Sequence, residues 1–541
     1  MSPKNIRQGE IKILKDILQK EASELQNISL DTPLDKNTWL DDAVVRADFL
    51  KNLLVFTDDL DKSYNLSGFD LSQIRDNLKK TGLDLSKAKI IDVLDISQCK
   101  IPFPIKITNS LFVGTIRMED AKLADLKLDG SKLSGLEGEG ASFSGGLSMG
   151  KEFVTDGSII LINCTFGGCI FCTQGTFKTD DALPPSPSKK NCVECRKNFR
   201  YSYSLDIASS IIDGDIHLCG GFNCEGGVNL ADVTIHGNLN CTRAYFRANG
   251  CKDEIENRES GQRLQCESQT QLHQCCALNA EGIRVGGYAV LNKSTFIGGI
   301  RFTQGKVEKD FEATEVKFYN RRKVAFHGDR MEVAGNVFIS DGAEIEGAIR
   351  LSNALVGADL NLYKITSSYS DPHESSIFLR ATSVKGSFYL KGSTIQKGCV
   401  DFSSARIEDN VDCSGARLST SGPFALKADF VTVKGNFYFT CPAKLQSFGK
   451  CQFTEGSTPE ELRFIANSRV SLEGIQLDGN LVARDCSFNS PPTAILEKDR
   501  HYALFVENSR IKGNCVLSGK QFKACGGLSL TNSEIGGGAG M

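Results

Sequence analysis

Apolar residues recur in pairs two apart along the stretch GNVFISDGAEIEGAIRLSNALVGADLNL, from Gly335 to Leu362. Gly335 is followed at +2 and +4 by Val337 and Ile339, Gly347 by Ile349 and Leu351, and Ala358 by Leu360 and Leu362. The lead positions are 12 and then 11 residues apart, so one period is 23 residues. The same two steps relate Gly214, Gly226 and Gly237, and again Gly386, Gly398 and Asp409. In several half-units a second pair follows at +7 and +9, as with Val233/Ile235, Ala405/Ile407 and Ala416/Leu418. Alternation by two places side chains on one face of a strand. A helix needs spacings of three and four. The extra residue between pairs marks a corner, so each half-unit has two short sides and each period four. A fixed period of this size is the mark of a solenoid. The pattern predicts a mainly β fold, a right-handed parallel β-solenoid with four-sided coils of about 23 residues.

The first 60 residues lack this rhythm. Ile6, Ile11, Leu14, Ile17, Leu18 and Leu25 trace one face of an amphipathic helix. Thr38 and Asp41 suggest a cap for a second helix through Val44, Val45, Phe49, Leu50, Leu53 and Leu54. A third is expected over Ser72–Lys80, stopping at Gly82. The predicted domains are therefore a helical cap over residues 1–82, hiding the open edge of the first coil, and a solenoid over 83–541. Polar, proline- and serine-bearing stretches at 178–199, 247–274, 366–376, 441–457 and 489–500 read as loop excursions from coil corners. Setting aside roughly 90 loop residues leaves about 16 coils. The last residues, LSLTNSEIGGGAGM, hold no helix to cover the final coil. Such an edge pairs readily with another chain, so a homodimer through Leu528, Leu530 and Ile535 is expected.

Composition changes this picture in three respects. Glycine is abundant (52) and proline scarce (13), which suits corners that need unusual dihedrals or close backbone approach. A net charge of −3 gives no bulk field for nucleic acid or anionic membrane. The start, MSPKNIRQGEIKILKD, has no apolar signal-peptide core, and no stretch approaches the roughly 20 apolar residues of a membrane span. A cytoplasmic location follows, and with it reduced thiols for the twenty cysteines. Cys241, Cys413 and Cys515 fall on inward strand positions, where a thiol acts as a small hydrophobe.

Candidate chemistry is sparse. Cys192 and Cys195 form a CxxC, and with Cys219 and Cys224 they would supply four ligands for a structural zinc; set against this, Cys219 and Cys224 also suit coil interiors and turns, which leaves no cofactor. The six histidines form no HExxH or i, i+4 pair, and no phosphate-binding glycine motif or nucleophile elbow is present. Asp401 and Asp412 lie close in sequence with Arg406 between them, which raises a polysaccharide lyase or hydrolase as the enzyme reading. Outward positions on a strand are polar in any case. Phe338, Tyr389 and Tyr438 each sit at +3 of a half-unit, facing out, and their separations of 51 and 49 approximate two coils. Aligned, they would form an aromatic stripe suited to a protein contact.

The phrases ALNAEGIRVGG (277–287), IHGNLNCTRAYF (235–246) and DNVDCSGARL (409–418) resemble a largely uncharacterised family of bacterial β-solenoid repeat proteins. VRADFLKNLL (45–54) and IPFPIKITNSLF (101–112) are similar to its N-terminal portion. Some members carry the label membrane-associated oxidoreductase, but this chain has no dinucleotide, flavin or membrane feature to match it. The two-then-three inward rhythm is also similar to pentapeptide-repeat proteins, which form right-handed quadrilateral β-helices and act by presenting a surface. The 23-residue coil departs from their 20. Taken together, the expected function is a non-enzymatic cytosolic scaffold presenting a protein-interaction surface to an unidentified partner.

Overall fold

The computed structural model describes residues 5–19, 23–24, 43–56, 60, 63–64, 66, 68–179, 203–248, 276–369, 375–420, 422–441, 463–490 and 502–540, leaving aside the side chains of 23–24 and 321–323. The chain divides into two compact units, residues 1–285 and 286–541, each a right-handed parallel β-solenoid. Most coils make four short strands, one per face, so each face is a parallel ladder; Lys317–His327 and Glu344–Arg350 each run through faces two and three as one strand. One coil of the first unit shows the order. Face one is Ile216–His217, face two Asn223–Gly226, face three Val228–Asn229 and face four Thr234–Ile235; the chain then returns to face one at Leu239–Asn240. Ile216 pairs with Leu239, one 23-residue period on. Among the described residues face four has seven strands in the first unit and nine in the second.

The inward positions of the 23-residue pattern are the core. On face one of the second unit, Phe388, Val411, Phe437 and Leu481 follow one another in register and each is at most 1% exposed. Cys241, Cys413 and Cys515 lie in such columns, also at most 1% exposed, and burial drives the Cys241 and Cys413 thiols far above the ordinary range. All the described cysteines are free thiols.

Glycine serves the corners in both expected ways, by unusual dihedrals and by close backbone approach, but it does not hold every left-handed position. The turn between faces three and four needs a left-handed residue, and non-glycine side chains supply it in most coils. Asn163, Ser209 and Asp232 in the first unit, and Gln304, Arg330 and Asn353 in the second, have φ of 56–60°. Of the period-marking glycines, Gly214, Gly237, Gly335 and Gly386 sit between faces four and one, where backbones touch, whereas Gly226, Gly347 and Gly398 turn the chain between faces two and three with positive φ of 140°, 139° and 81°. A Cβ on Gly237 would lie 2.7 Å from the Gly214 carbonyl oxygen, and one on Gly513 2.5 Å from that of Gly479. Their N–H groups bond the same oxygens, at 3.2 Å for Gly237 and 3.1 Å for Gly513.

The residue after the corner position between faces four and one, whether that position is Asp409 or a glycine, builds a second column. In the second unit Asn410, Asn436, Asn480 and Asn514 stack at this corner. Each Oδ1 accepts from the backbone N–H of the next asparagine at 2.8–2.9 Å and from its Nδ2 at 2.8–3.1 Å. Asn514 passes the bond on to the Gly538 N–H. Side-chain amides so linked satisfy one another without water.

The first coil is covered by α1 (Gln8–Gln19), α2 (Ala47–Val55) and α3 (Leu71–Thr81). α3 begins where the Asp70 carboxylate accepts from the N–H groups of Ser72 and Gln73, and ends where Gly82, at φ 76°, donates to the Leu78 carbonyl. Val44 and Val45 are not helical, contrary to expectation. With Arg46 they form a strand paired in parallel with Lys89–Ile91, so the edge of face two is closed by backbone bonds. β-Branched residues suit either assignment, and the exposed edge decides. Ser23–Glu24 closes the edge of face one against Leu83–Ser86.

The excursions expected at 178–199, 247–274, 366–376, 441–457 and 489–500 lie largely outside the described residues. Their margins carry more strand than the polar composition suggests, as at Thr366–Ser368 and Ser375–Phe378. In the first unit both flanking pairs place the departure between faces two and three. Among the described residues no helix is long and apolar enough to cross a membrane.

Candidate functional site

Outward side chains distinguish the faces of the second unit. On face four the outward row reads Lys306, Glu332, Leu355, Ser383, Arg406 and Thr432 in register, an ordinary solvated surface. On face one it reads Glu312, Phe338, Asn361, Tyr389, Asp412, Tyr438 and Val482. Phe338, Tyr389 and Tyr438 thus share one row, two coils apart, about 10 Å at the usual strand spacing. All three are half-buried. The polar residues between them, Asn361 and Asp412, turn their side-chain oxygens to the next corner and accept from the N–H groups of Tyr363 at 3.0 Å and Ser414 at 2.8 Å.

This row is acidic as well as aromatic. Asp412 lies between the two tyrosines and is only 9% exposed. Asp359 accepts from the Ser387 N–H at 2.8 Å, and Asp409 from the Ser387 hydroxyl at 2.9 Å. None of these three carboxylates has an ion-pair partner among the described residues. Burial, reinforced by Asp412 and Asp409, raises the Tyr438 phenol. At Tyr389 burial also raises it, with Asp359, Asp409 and Asp412 adding to the rise and the Ser387 hydrogen bond opposing it. Both phenols therefore stay protonated, as donors beside negative charge. Asp359 escaped the sequence reading. The period contains the clue: an acid at the lead position or just after it must emerge beside the face-one row.

The proposed catalytic trio is not brought together. Asp401 ends a strand of face three, Arg406 opens one of face four, and Asp412 is on face one. Asp401 is 1% exposed and accepts from Arg380 Nε at 2.6 Å. Arg406 Nε donates to Glu408 at 2.6 Å. Residues close in sequence are separated here by corners.

Of the four zinc candidates, Cys192 and Cys195 lie outside the described residues. Cys219 is half-buried at a corner, 3.6 Å from the Thr173 hydroxyl. Cys224 points into the core of face two, donates to the Gly227 carbonyl at 3.3 Å, and has its thiol pushed up to about 12, by burial above all. Cys219 and Cys224 thus occupy the corner and interior positions that compete with metal binding.

In the last coil Leu528, Leu530 and Ile535 are half-exposed, whereas Leu504, Val506 and Ile511 below them are at most 1% exposed. A hollow of about 340 Å³ opens there, lined by Leu517, Phe522 and Leu528.

No family model, curated protein or solved structure matches the chain.

Proposed function

We propose that this protein is a non-enzymatic cytosolic scaffold whose face one, in residues 286–541, receives a protein partner carrying arginine or lysine side chains. The observation that carries the reading is the half-buried row Phe338–Tyr389–Tyr438 with the unpaired Asp412 set between its tyrosines. Aromatic faces beside a carboxylate suit a guanidinium, which stacks on the ring and donates to the acid. Tyrosine is also among the residues that dominate interfaces. Free thiols at every described cysteine support a reducing compartment.

The test is affinity capture from the native cell with the wild-type chain and with Tyr389→Ala/Tyr438→Ala. Proteins retained by the wild type should fall at least about 30-fold with the double variant, the loss expected for one hot-spot side chain worth about 2 kcal/mol. Equal capture by both, at equal thermal stability, would sink the reading.

The scaffold also self-associates, on this proposal, through Leu528, Leu530 and Ile535. Sedimentation at micromolar concentration should give a dimeric mass for the wild type and a monomeric one for Leu528→Lys/Ile535→Lys. A monomeric wild type would remove this part.

A further inference from the structure

We propose that Cys169, Asp215 and His217, on two successive coils of the first unit, form a binding site for a zinc-like divalent ion. The thiol, one carboxylate oxygen and one imidazole nitrogen lie within 4.8 Å of one another. His217 Nε2 and Asp215 Oδ2 are 3.6 Å apart. Zinc bonds of about 2.0–2.3 Å in a tetrahedron give ligand separations of roughly 3.3–3.8 Å, so small adjustments close the set.

The surroundings orient each ligand. Asp215 gives Oδ1 to Asn238, accepting from its N–H at 2.6 Å and its Nδ2 at 3.0 Å. Oδ2 is left toward the histidine. The His217 ring stacks on Phe171, centroids 4.8 Å apart and planes 3° apart, which fixes where Nε2 points. Cys169 Sγ accepts from the Asp215 N–H at 3.3 Å, which fixes the sulfur beside the carboxylate. Room for the sulfur comes from Gly214, where a Cβ would stand 2.6 Å from it. Asp215 and His217 alone would be an ordinary surface pair. A thiol at a corner position that carries Asp125 or Asn238 in other coils has no role in that pair.

A soft sulfur, an imidazole and one carboxylate suit zinc and not magnesium or calcium, which need oxygen cages. Three protein ligands leave a fourth position for water or an incoming ligand. His217 and Asp215 are 23% and 30% exposed, so solvent reaches it.

Metal-free full-length chain, kept reduced, is titrated with cobalt(II) and then zinc. The wild type should bind about one equivalent of cobalt in a tetrahedral, thiolate-ligated spectrum that zinc abolishes. Cys169→Ser and His217→Gln should lose the thiolate band, and Asn238→Ala should bind about 10- to 100-fold more weakly. Cys192→Ser/Cys195→Ser should leave the band intact. Circular dichroism of the metal-free variants establishes that they fold. No band in the wild type, a band that survives Cys169→Ser, or one lost with Cys192→Ser/Cys195→Ser, would overturn the site.

Discussion

Phe439→Ala should destabilise the second unit by about 3–5 kcal/mol, the usual cost of emptying a buried phenylalanine site. Phe439 is fully buried at the end of its face-one strand. Its ring stacks on Phe437 at 4.7 Å, tilts against Phe464 at 4.6 Å and meets Phe488 edge-on at 5.6 Å. These partners come from its own coil and the next, so the cavity opens between coils and cannot be filled by one rotamer change. In a solenoid each coil is held by its neighbours, and the damage should be local. Hydrogen exchange should quicken in Phe437–Phe439 and Leu481–Arg484, while strands of residues 83–179 keep wild-type protection. A uniform increase over the chain, or a shift below about 1 kcal/mol in urea unfolding, would contradict this account of the core.

The second large effect is expected at the cap. Glu10 is fully buried on α1, and Arg46 donates to it through Nε at 2.9 Å and Nη2 at 2.7 Å. The backbone N–H groups of Arg7 and Arg46 complete its shell at 2.9 and 3.1 Å. The Glu10 hydrogen bond is the main reason the Arg46 guanidinium is raised further, and the Tyr64 ring lies 4.9 Å beneath it. Glu10→Ala leaves that cation largely buried without its counter-charge, at a cost of about 3–5 kcal/mol. Glu10→Leu/Arg46→Met should recover most of the loss, since a well-packed apolar pair replaces a buried ion pair at little cost. Urea unfolding of the two variants and the wild type decides. If the double variant is as unstable as Glu10→Ala, the pair contributes more than mutual neutralisation.

Much of this architecture is legible in the chain because every coil must bury the same positions. Val337, Leu360 and Phe388 repeat the inward site of face one whatever surrounds them, so the period survives sequence drift. The outward alignment of Phe338, Tyr389 and Tyr438 follows from that arithmetic. What stayed hidden is information the period does not carry. Val44 and Val45 fit a helix or a strand, and only the unpaired edge at Lys89–Ile91 settles it. Left-handed corners tolerate Asn, Asp, Lys or Ser, so composition does not tell which glycines serve a dihedral and which serve close packing. Asp401, Arg406 and Asp412 look clustered because corners are invisible to sequence distance. Cys169, Asp215 and His217 look scattered for the converse reason, since an excursion separates neighbouring coils.

The asparagine column has one more implication. Its bonded members stand 26, 44 and 34 residues apart, yet each link has the same geometry. Phase is thus reset once per revolution at a fixed point, independent of how much chain was spent on the way round. Such a clock mark lets the other corners gain or lose segments without propagating error into later revolutions.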